Sequence, residues 1–410
     1  MPTTEATDLD LLEPALYRNG IPHDLYSELR GIGPVLWHPR TPVPAFGTDI
    51  EFWAVIAHAE VQEANRDWET FSALDGPTIV PFPPERRGMM LVTKDPPDHT
   101  RMRRLISAGF TPRIIGRLEE QIRARAELVL DEVAAEPELD FVPSIAYQLP
   151  MHVIGDIIGI PEVDRPEVFQ ITDTLLRAMD PLEGITSEQR ETAEVGLYNY
   201  AHSLSEAKRA NPADDVWSIL ATGELDEFEL DLFFLILTLA GSETTRNALT
   251  QGLMALLAHP DQLRELRQDP SMLPQATEEI LRWSIPVICF GRSVTRDVEL
   301  GGQQLRSGDR VALFYPSANR DDRVFDDPHQ FDIRRSPNPH VAFGGGGPHF
   351  CLGARLARTE LQVMIGEILR RFESIEITGD PVWLSAGPAI NVGVAVQSLP
   401  VRLVPKGAHR

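Results

Sequence analysis

Cysteine is nearly absent from this sequence: two thiols, Cys289 and Cys351, serve 410 residues. Two cysteines cannot build the disulfide framework of a small secreted scaffold, and a chain with 42% hydrophobic residues needs none, so a reducing cytoplasm is expected. Lysine occurs only at Lys94, Lys208 and Lys406, and acidic residues outnumber basic ones to give a formal net charge of -23. That balance argues against nucleic acid as a partner, because phosphate binding needs a basic face; its plain consequence is solubility. The first thirty residues are acidic and broken by Pro14 and Pro22, so they hold neither a signal h-region nor a membrane anchor. No Gly/Ser tract, charge block or repeat divides residues 50–400. The expectation is a single domain over 1–410, with 1–20 as a loosely ordered N-terminal segment.

Proline and periodicity set the local expectations. Pro34, Pro39, Pro42 and Pro44, then Pro77, Pro81, Pro83 and Pro84, mark irregular loops. Helical patterns cover Pro112 to Val133 and roughly 144–159, 162–179 and 188–210. The longest runs from a capping box at Asp226 and Glu229 to a stop at Pro260, roughly 50 Å at 1.5 Å per residue. Its first half, Leu230 to Ala240, is apolar on every face, as in a helix through the middle of a protein. Strand-like runs lie at Trp53–Ile56, Ser293–Leu300, Gln303–Leu305, Arg310–Phe314, Ile375–Ile377, Val392–Val396 and Val401–Val404. The fold class expected is mainly α with a small β-sheet region.

The sharpest local signal is Phe343-Gly344-Gly345-Gly346-Gly347-Pro348-His349-Phe350-Cys351-Leu352-Gly353 ahead of a helical pattern. A tight glycine loop would set Cys351 near a positive helix N-terminus, which favours a thiolate, and backbone amides could donate to the sulfur while Gly353 lets a flat group approach. A buried structural cysteine beside a flexible turn is the plain alternative for a lone thiol. A phosphate loop is the other, but it lacks the closing Lys-Ser/Thr.

This segment resembles the haem-binding loop of the cytochrome P-450 family, the haem-thiolate monooxygenases. Three further segments are similar to the family's motifs in the required order, and the resemblance spans roughly residues 20–405. Glu279-Ile280-Leu281-Arg282 resembles the Glu-x-x-Arg pair, and Arg335 in Phe331–Arg335 the arginine that completes its network. The i, i+3 spacing puts Glu279 and Arg282 on one helical face, although alone such a pair is an ordinary salt bridge. Ala240-Gly241-Ser242-Glu243-Thr244-Thr245 resembles the oxygen-activation motif. There Gly241 would open a groove above the iron, and Glu243 and Thr244 would relay protons; Thr244 bonding back to a carbonyl on a buried polar stripe is the alternative. His99 and Arg103 lie four apart on a helical pattern and, with Arg292 and His349, resemble contacts to haem propionates. One departure is present: Phe343 stands eight residues before Cys351 rather than the family's usual seven, and Gly344 takes its place.

The resemblance implies the cytochrome P-450 fold, a long central helix over haem b, and axial ligation of the iron by Cys351. It implies insertion of one oxygen atom from O2 into a C–H bond, with electrons from a ferredoxin and its ferredoxin reductase. Arg101, Arg104, Arg113 and Arg358 are candidates for the basic patch that would steer such a donor. Pocket candidates are Met90 and the apolar 77–91 loop, Phe233, Leu237, Ala240, Val287 and Ile288, which suit a lipophilic substrate. The segments 240–247 and 337–340 resemble those of actinobacterial members that oxidise sterols and methyl-branched lipids. A peroxide-driven peroxygenase and a non-catalytic haem or ligand carrier are the competing functions; retention of Glu243 and Thr244 disfavours both.

Overall fold

The computed structural model describes residues 10–108, 112–136, 138–178, 184–389, 391 and 393–407, without the side chains of 45 and 112–115. Two units emerge from backbone proximity. One comprises Met1–Thr100, Glu278–Ala354 and Trp383–Ala395; the other comprises Arg101–Thr277, Arg355–Val382 and Val396–Arg410.

The first unit is built on a sheet of β1 (Val35–Val43), β2 (Thr48–Val55), β3 (Phe71–Ser72), β4 (Cys289–Val294) and β5 (Arg310–Phe314). Their spatial order is β1-β2-β5-β4-β3, antiparallel except where Trp53 of β2 runs parallel beside Val311 of β5. The proline-rich stretch after Pro34 is therefore a strand and not the irregular loop expected of it. Two features reconcile the prolines with a ladder. β1 is an edge strand, and its register slips between His38 and Thr41, so Pro39 sits in a bulge where no ladder N–H is required. The run expected at Ser293–Leu300 is two strands: β4 starts earlier, and Val298–Leu300 pairs with Gln303–Leu305 as a separate hairpin. Tyr26, Leu29, Phe52, Ile56 and Phe314 form the core on one face. Residues 1–9 of the N-terminal segment lie outside the described residues. From Asp10 onward the chain joins that core: Leu11 and Tyr17 are buried, Leu11 N–H donates to His38 Nε2 at 3.0 Å, and Tyr17 Oη bonds Tyr26 Oη at 2.9 Å.

The second unit is helical. Its main helices are α1 (Pro112–Val133), α2 (Gln148–Ile158), α3 (Arg165–Arg177), α4 (Ser187–Ala210) and α5 (Glu227–Ala258); α6 (Ala354–Arg371) belongs to it from Arg355. The capping box forms at the start of α5, where Asp226 Oδ1 accepts from Glu229 N at 2.7 Å and Glu229 Oε2 accepts from Asp226 N at 3.4 Å. α2, α3 and α4 pack around α5, which explains why Leu230 and Leu232, on opposite faces of the helix, are both buried. Strand Pro400–Pro405 pairs on either side with Glu138–Asp140 and Phe372–Ile377. Val392 is outside the described residues; the strand observed there is Val394–Ser398. Among the described residues no helix is long and apolar enough to cross a membrane.

Candidate functional site

The loop that presents Cys351 owes its path to four consecutive glycines. Gly344, Gly345, Gly346 and Gly347 have φ of 93°, 54°, 112° and 77°, a run of left-handed conformations that L side chains resist. Gly347 also passes so close to helix His58–Arg66 that a Cβ would stand 2.2 Å from the Asn65 carbonyl. The loop closes when Cys351 N–H donates to the Phe343 carbonyl at 3.0 Å. The extra residue between Phe343 and Cys351 is thus absorbed by glycine turns, and the Phe343 ring lies 6.1 Å from that of His340 and 6.3 Å from that of Phe350. Cys351 is exposed and outside any disulfide, three residues before the first residue of α6. A Cβ on Gly353 would stand 4.0 Å from Cys351 Sγ, so that glycine borders the sulfur.

The same unit gathers groups suited to a carboxylate. The rings of His99 and His349 lie 4.4 Å apart, and His349 Nε2 is 4.0 Å from Asp95 Oδ1. Asp95 is itself held by Ser72 Oγ at 2.5 Å and by Ala73 N–H at 3.0 Å. Arg292, on β4, is 3% exposed; among the described residues its guanidinium makes one hydrogen bond, to the Gly291 carbonyl at 2.7 Å, and Phe290 backs it at 5.7 Å. Burial lowers its pKa, against the opposing pull of Tyr315 and Asp95. A buried guanidinium with spare N–H donors fits an anionic group. Arg103, which falls in the second unit, lies one turn beyond His99 on helix Asp98–Ser107 and is half-buried.

Glu279 and Arg282, on helix Leu273–Ser284, are both fully buried and joined by two hydrogen bonds of 2.8 and 2.7 Å. Arg335 Nε donates to Glu279 Oε2 at 3.2 Å, whereas the neighbouring Arg334 faces Asp332 at the surface. Asn338 Nδ2 and Asp332 N–H, which spacing does not mark, complete five donors on this carboxylate at 3.1 and 2.9 Å.

In the second unit, Gly241 has a different role from the groove expected of it. A Cβ there would stand 2.5 Å from Ile154 Cδ1, so the missing side chain admits α2 against α5. The open stripe runs instead through Leu237, Ala240 and Thr244, at i, i+3 and i+7: Ala240 is exposed and the other two partly so. Thr244 Oγ1 donates to the Ala240 carbonyl at 2.8 Å, which leaves its lone pairs as acceptors. Glu243 points away from solvent and pairs with Arg246 one turn on. Burial raises its pKa, with Arg246 working against the shift and Asp173 adding to it. Arg246 is a functional candidate that the motif alone did not single out.

The pocket candidates divide. Met90, Leu237, Ala240 and Val287 keep accessible surface. Phe233 and Ile288, at 2% and 0% exposure, are core residues: Phe233 stacks on Trp217, and Ile288 sits in the cluster with Leu36 and Phe314. Of the arginines expected in a basic patch, Arg101 pairs with Glu229, Arg104 is exposed, Arg358 is half-buried, and the Arg113 side chain lies outside the described residues.

Glu360 on α6 is a further residue that the sequence did not mark. It is 2% exposed, its Oε2 has no hydrogen-bond partner among the described residues, and burial pushes its pKa from 4.5 up to about 8. At neutral pH the folded protein holds this carboxyl protonated and the unfolded chain releases the proton, so stability falls as pH rises from the unfolded value toward the folded one. Glu360→Gln removes that dependence. The stability gap in favour of the variant should widen by about 3 kcal/mol between pH 4.5 and 7; parallel urea-denaturation profiles for the two proteins across that range would refute it.

The cytochrome P450 family pattern matches residues 182–403. A steroid C26-monooxygenase of Rhodococcus jostii is 38% identical over 391 residues, covering 92% of this chain and 82% of the relative. A methyl-branched lipid omega-hydroxylase of Mycobacterium bovis is 38% identical over 371 residues, covering 88% and 86%. The solved structure of a Mycobacterium marinum cytochrome P450 in complex with pseudoionone superposes with a TM-score of 0.88 at 37% identity, covering 97% of this chain and 99% of that one.

Proposed function

Since this chain belongs to the cytochrome P450 family, whose members are oxygen-incorporating oxidoreductases carrying haem with thiolate ligation, we propose that it hydroxylates a steroid or methyl-branched lipid. The observation that carries the substrate class is its near full-length similarity to enzymes named for those two substrates. Haem b would be held by Cys351, and its carboxylates by His99, Arg103, Arg292 and His349. Bound there, the haem supplies oxygen activation, assisted by electron donation from the thiolate. Gly353, Gly344 and Phe343 shape the loop on the sulfur side, and Ala240 keeps the open stripe of α5 flat.

Proton delivery falls to Glu243 and Thr244. Burial moves the Glu243 pKa up against the pull of Arg246, which brings the range over which this carboxyl takes up and releases a proton closer to neutrality. Thr244 Oγ1 would take part as an acceptor, since its own proton is committed to Ala240 O. Val287, Met90 and the 77–91 loop of the first unit, and Leu237 of the second, each offer apolar surface suited to a lipophilic substrate. Electrons would come from a ferredoxin served by its reductase, docking near exposed Arg104.

The test is a panel of sterols, methyl-branched fatty acids and aromatic compounds, scored by the shift from low-spin to high-spin iron and by product formed with a ferredoxin and ferredoxin reductase. A sterol or branched lipid should give the largest shift and a hydroxylated product that requires the donor proteins. A shift confined to the aromatic compounds, or faster turnover with hydrogen peroxide alone, would overturn the proposal.

A further inference from the structure

Arg310 of β5 is 6% exposed, and its guanidinium is spent almost wholly on the backbone of one short segment. Its Nε donates to Ile79 O at 3.0 Å, and its Nη2 to Gly76 O at 2.7 Å and Thr78 O at 2.5 Å. Nη1 donates to Ser293 Oγ at 2.9 Å. The intervening Pro77 carbonyl accepts from Gly291 N–H at 2.6 Å and from Asn391 Nδ2 at 2.8 Å. Val80 O accepts from Thr78 Oγ1 at 2.6 Å. Every carbonyl from Gly76 through Val80 is therefore bonded, and those of residues 76–79 are held from the sheet. Gly291 makes this approach possible, because a Cβ there would stand 2.2 Å from Thr78 O.

Beyond this stem the chain turns outward through Pro81–Arg87, which is mostly exposed, and closes on itself. Phe82 N–H donates to Asp75 O at 2.7 Å, Arg87 pairs with Asp75 at 2.5 Å, and Gly88 N–H donates to Leu74 O at 3.3 Å. The arrangement is a small loop whose base is clamped and whose tip is solvated. Among the described residues no carboxylate oxygen accepts from Arg310, and burial pulls its pKa down to about 10, so it enters the interior charged. A buried cation that trades its hydration for carbonyl oxygens is costly, and a neutral core side chain would stabilise the sheet at less expense. What the guanidinium adds is geometry: a planar donor set that fixes three carbonyls at once.

We propose that Arg310 is a positioning residue for substrate selection, holding the 76–80 stem so that the 77–91 loop presents one fixed apolar wall. This rests on the assignment of that loop to the pocket of a lipid-oxidising enzyme. A loosened loop would have to be ordered by the substrate itself, which weakens binding while leaving the reacting groups unchanged.

Arg310→Gln in the haem-loaded protein tests the proposal through two independent readouts. Limited trypsin digestion reads the loop directly, because Arg86 and Arg87 lie in the exposed tip. Cleavage there should quicken by about tenfold with other tryptic sites unchanged, from the loss of several hydrogen bonds. The dissociation constant of the lipid giving the largest spin shift should rise by about tenfold, with kcat at saturation within about twofold. Should Arg310→Gln fail to fold, Asn391→Ala removes one bond to Pro77 O without stranding a charge and should move both readouts in the same direction. Unchanged cleavage at Arg86 and Arg87 would overturn the clamp and leave the proposed function standing. Faster cleavage with an unaltered dissociation constant would overturn the role in substrate selection. If no lipid shifts the spin state of the wild-type protein, the proposed function fails, and digestion still reads the clamp.

Discussion

Glu279→Gln is expected to cost about 3–5 kcal/mol and to prevent recovery of stably folded, haem-loaded protein. The carboxylate accepts five hydrogen bonds, three of them from Arg282 and Arg335. The remaining donors of Arg282 are spent on the carbonyls of Asn319, Pro328 and Gln330, so this guanidinium has nowhere to turn for a second anion. Arg320 lies over Trp283 at 4.2 Å in the same buried place, its pKa pulled well down by burial first and by the charge of Arg282 second. Removing the one carboxylate strands these cations in the interior, and the amide group of glutamine adds a donor that faces donors. Arg334→Ala is the matched control: its partner Asp332 is 3.7 Å away and both side chains are exposed, so a change under about 0.5 kcal/mol is expected. Urea denaturation of both variants beside wild type decides it, and equal midpoints for Glu279→Gln and wild type would contradict the argument.

Cys351→Ser is expected to abolish oxidative turnover while sparing the fold. The loop is closed by backbone, through Cys351 N–H to Phe343 O, and its path is set by glycines 344–347, neither of which needs the sulfur. The stability change should therefore stay within about 1 kcal/mol. The electronic change is large, since a serine hydroxyl remains protonated where a cysteine near a helix N-terminus ionises, and a neutral oxygen donates little electron density to iron. The reduced carbon monoxide complex of wild type should show the red-shifted absorption of thiolate ligation and that of the variant should lack it. Retention of that band, or of turnover, by a folded Cys351→Ser protein would remove Cys351 from the iron.

The parts of this architecture that depend on near neighbours in the chain were legible. The Asp226–Glu229 capping box, the Glu279–Arg282 pair, and the strands Gln303–Leu305 and Arg310–Phe314 follow from spacing and side-chain type, and they stand where those rules put them. What was not legible depends on partners far away. Prolines at 39 and 42 read as loop because a ladder position and an edge position look alike until the sheet order is known. Gly241 read as an opening because sequence does not say that Ile154 fills the space beside it. Phe233 and Ile288 read as pocket because apolar character is shared by pocket walls and core. Arg310 carried no motif at all, since its acceptors are backbone carbonyls more than 200 residues earlier and carbonyls have no side-chain signature.

The strand order of the first unit also bears on how this molecule behaves beside copies of itself. A sheet with a long, regular rim invites another chain to extend it, which is the first step toward aggregation. Here one rim is β1, interrupted by Pro39 and its bulge, and the other is the two-residue β3. Neither offers the uninterrupted row of donors and acceptors on which a foreign strand would template, so the prolines that obscure β1 in the sequence also keep the sheet from growing.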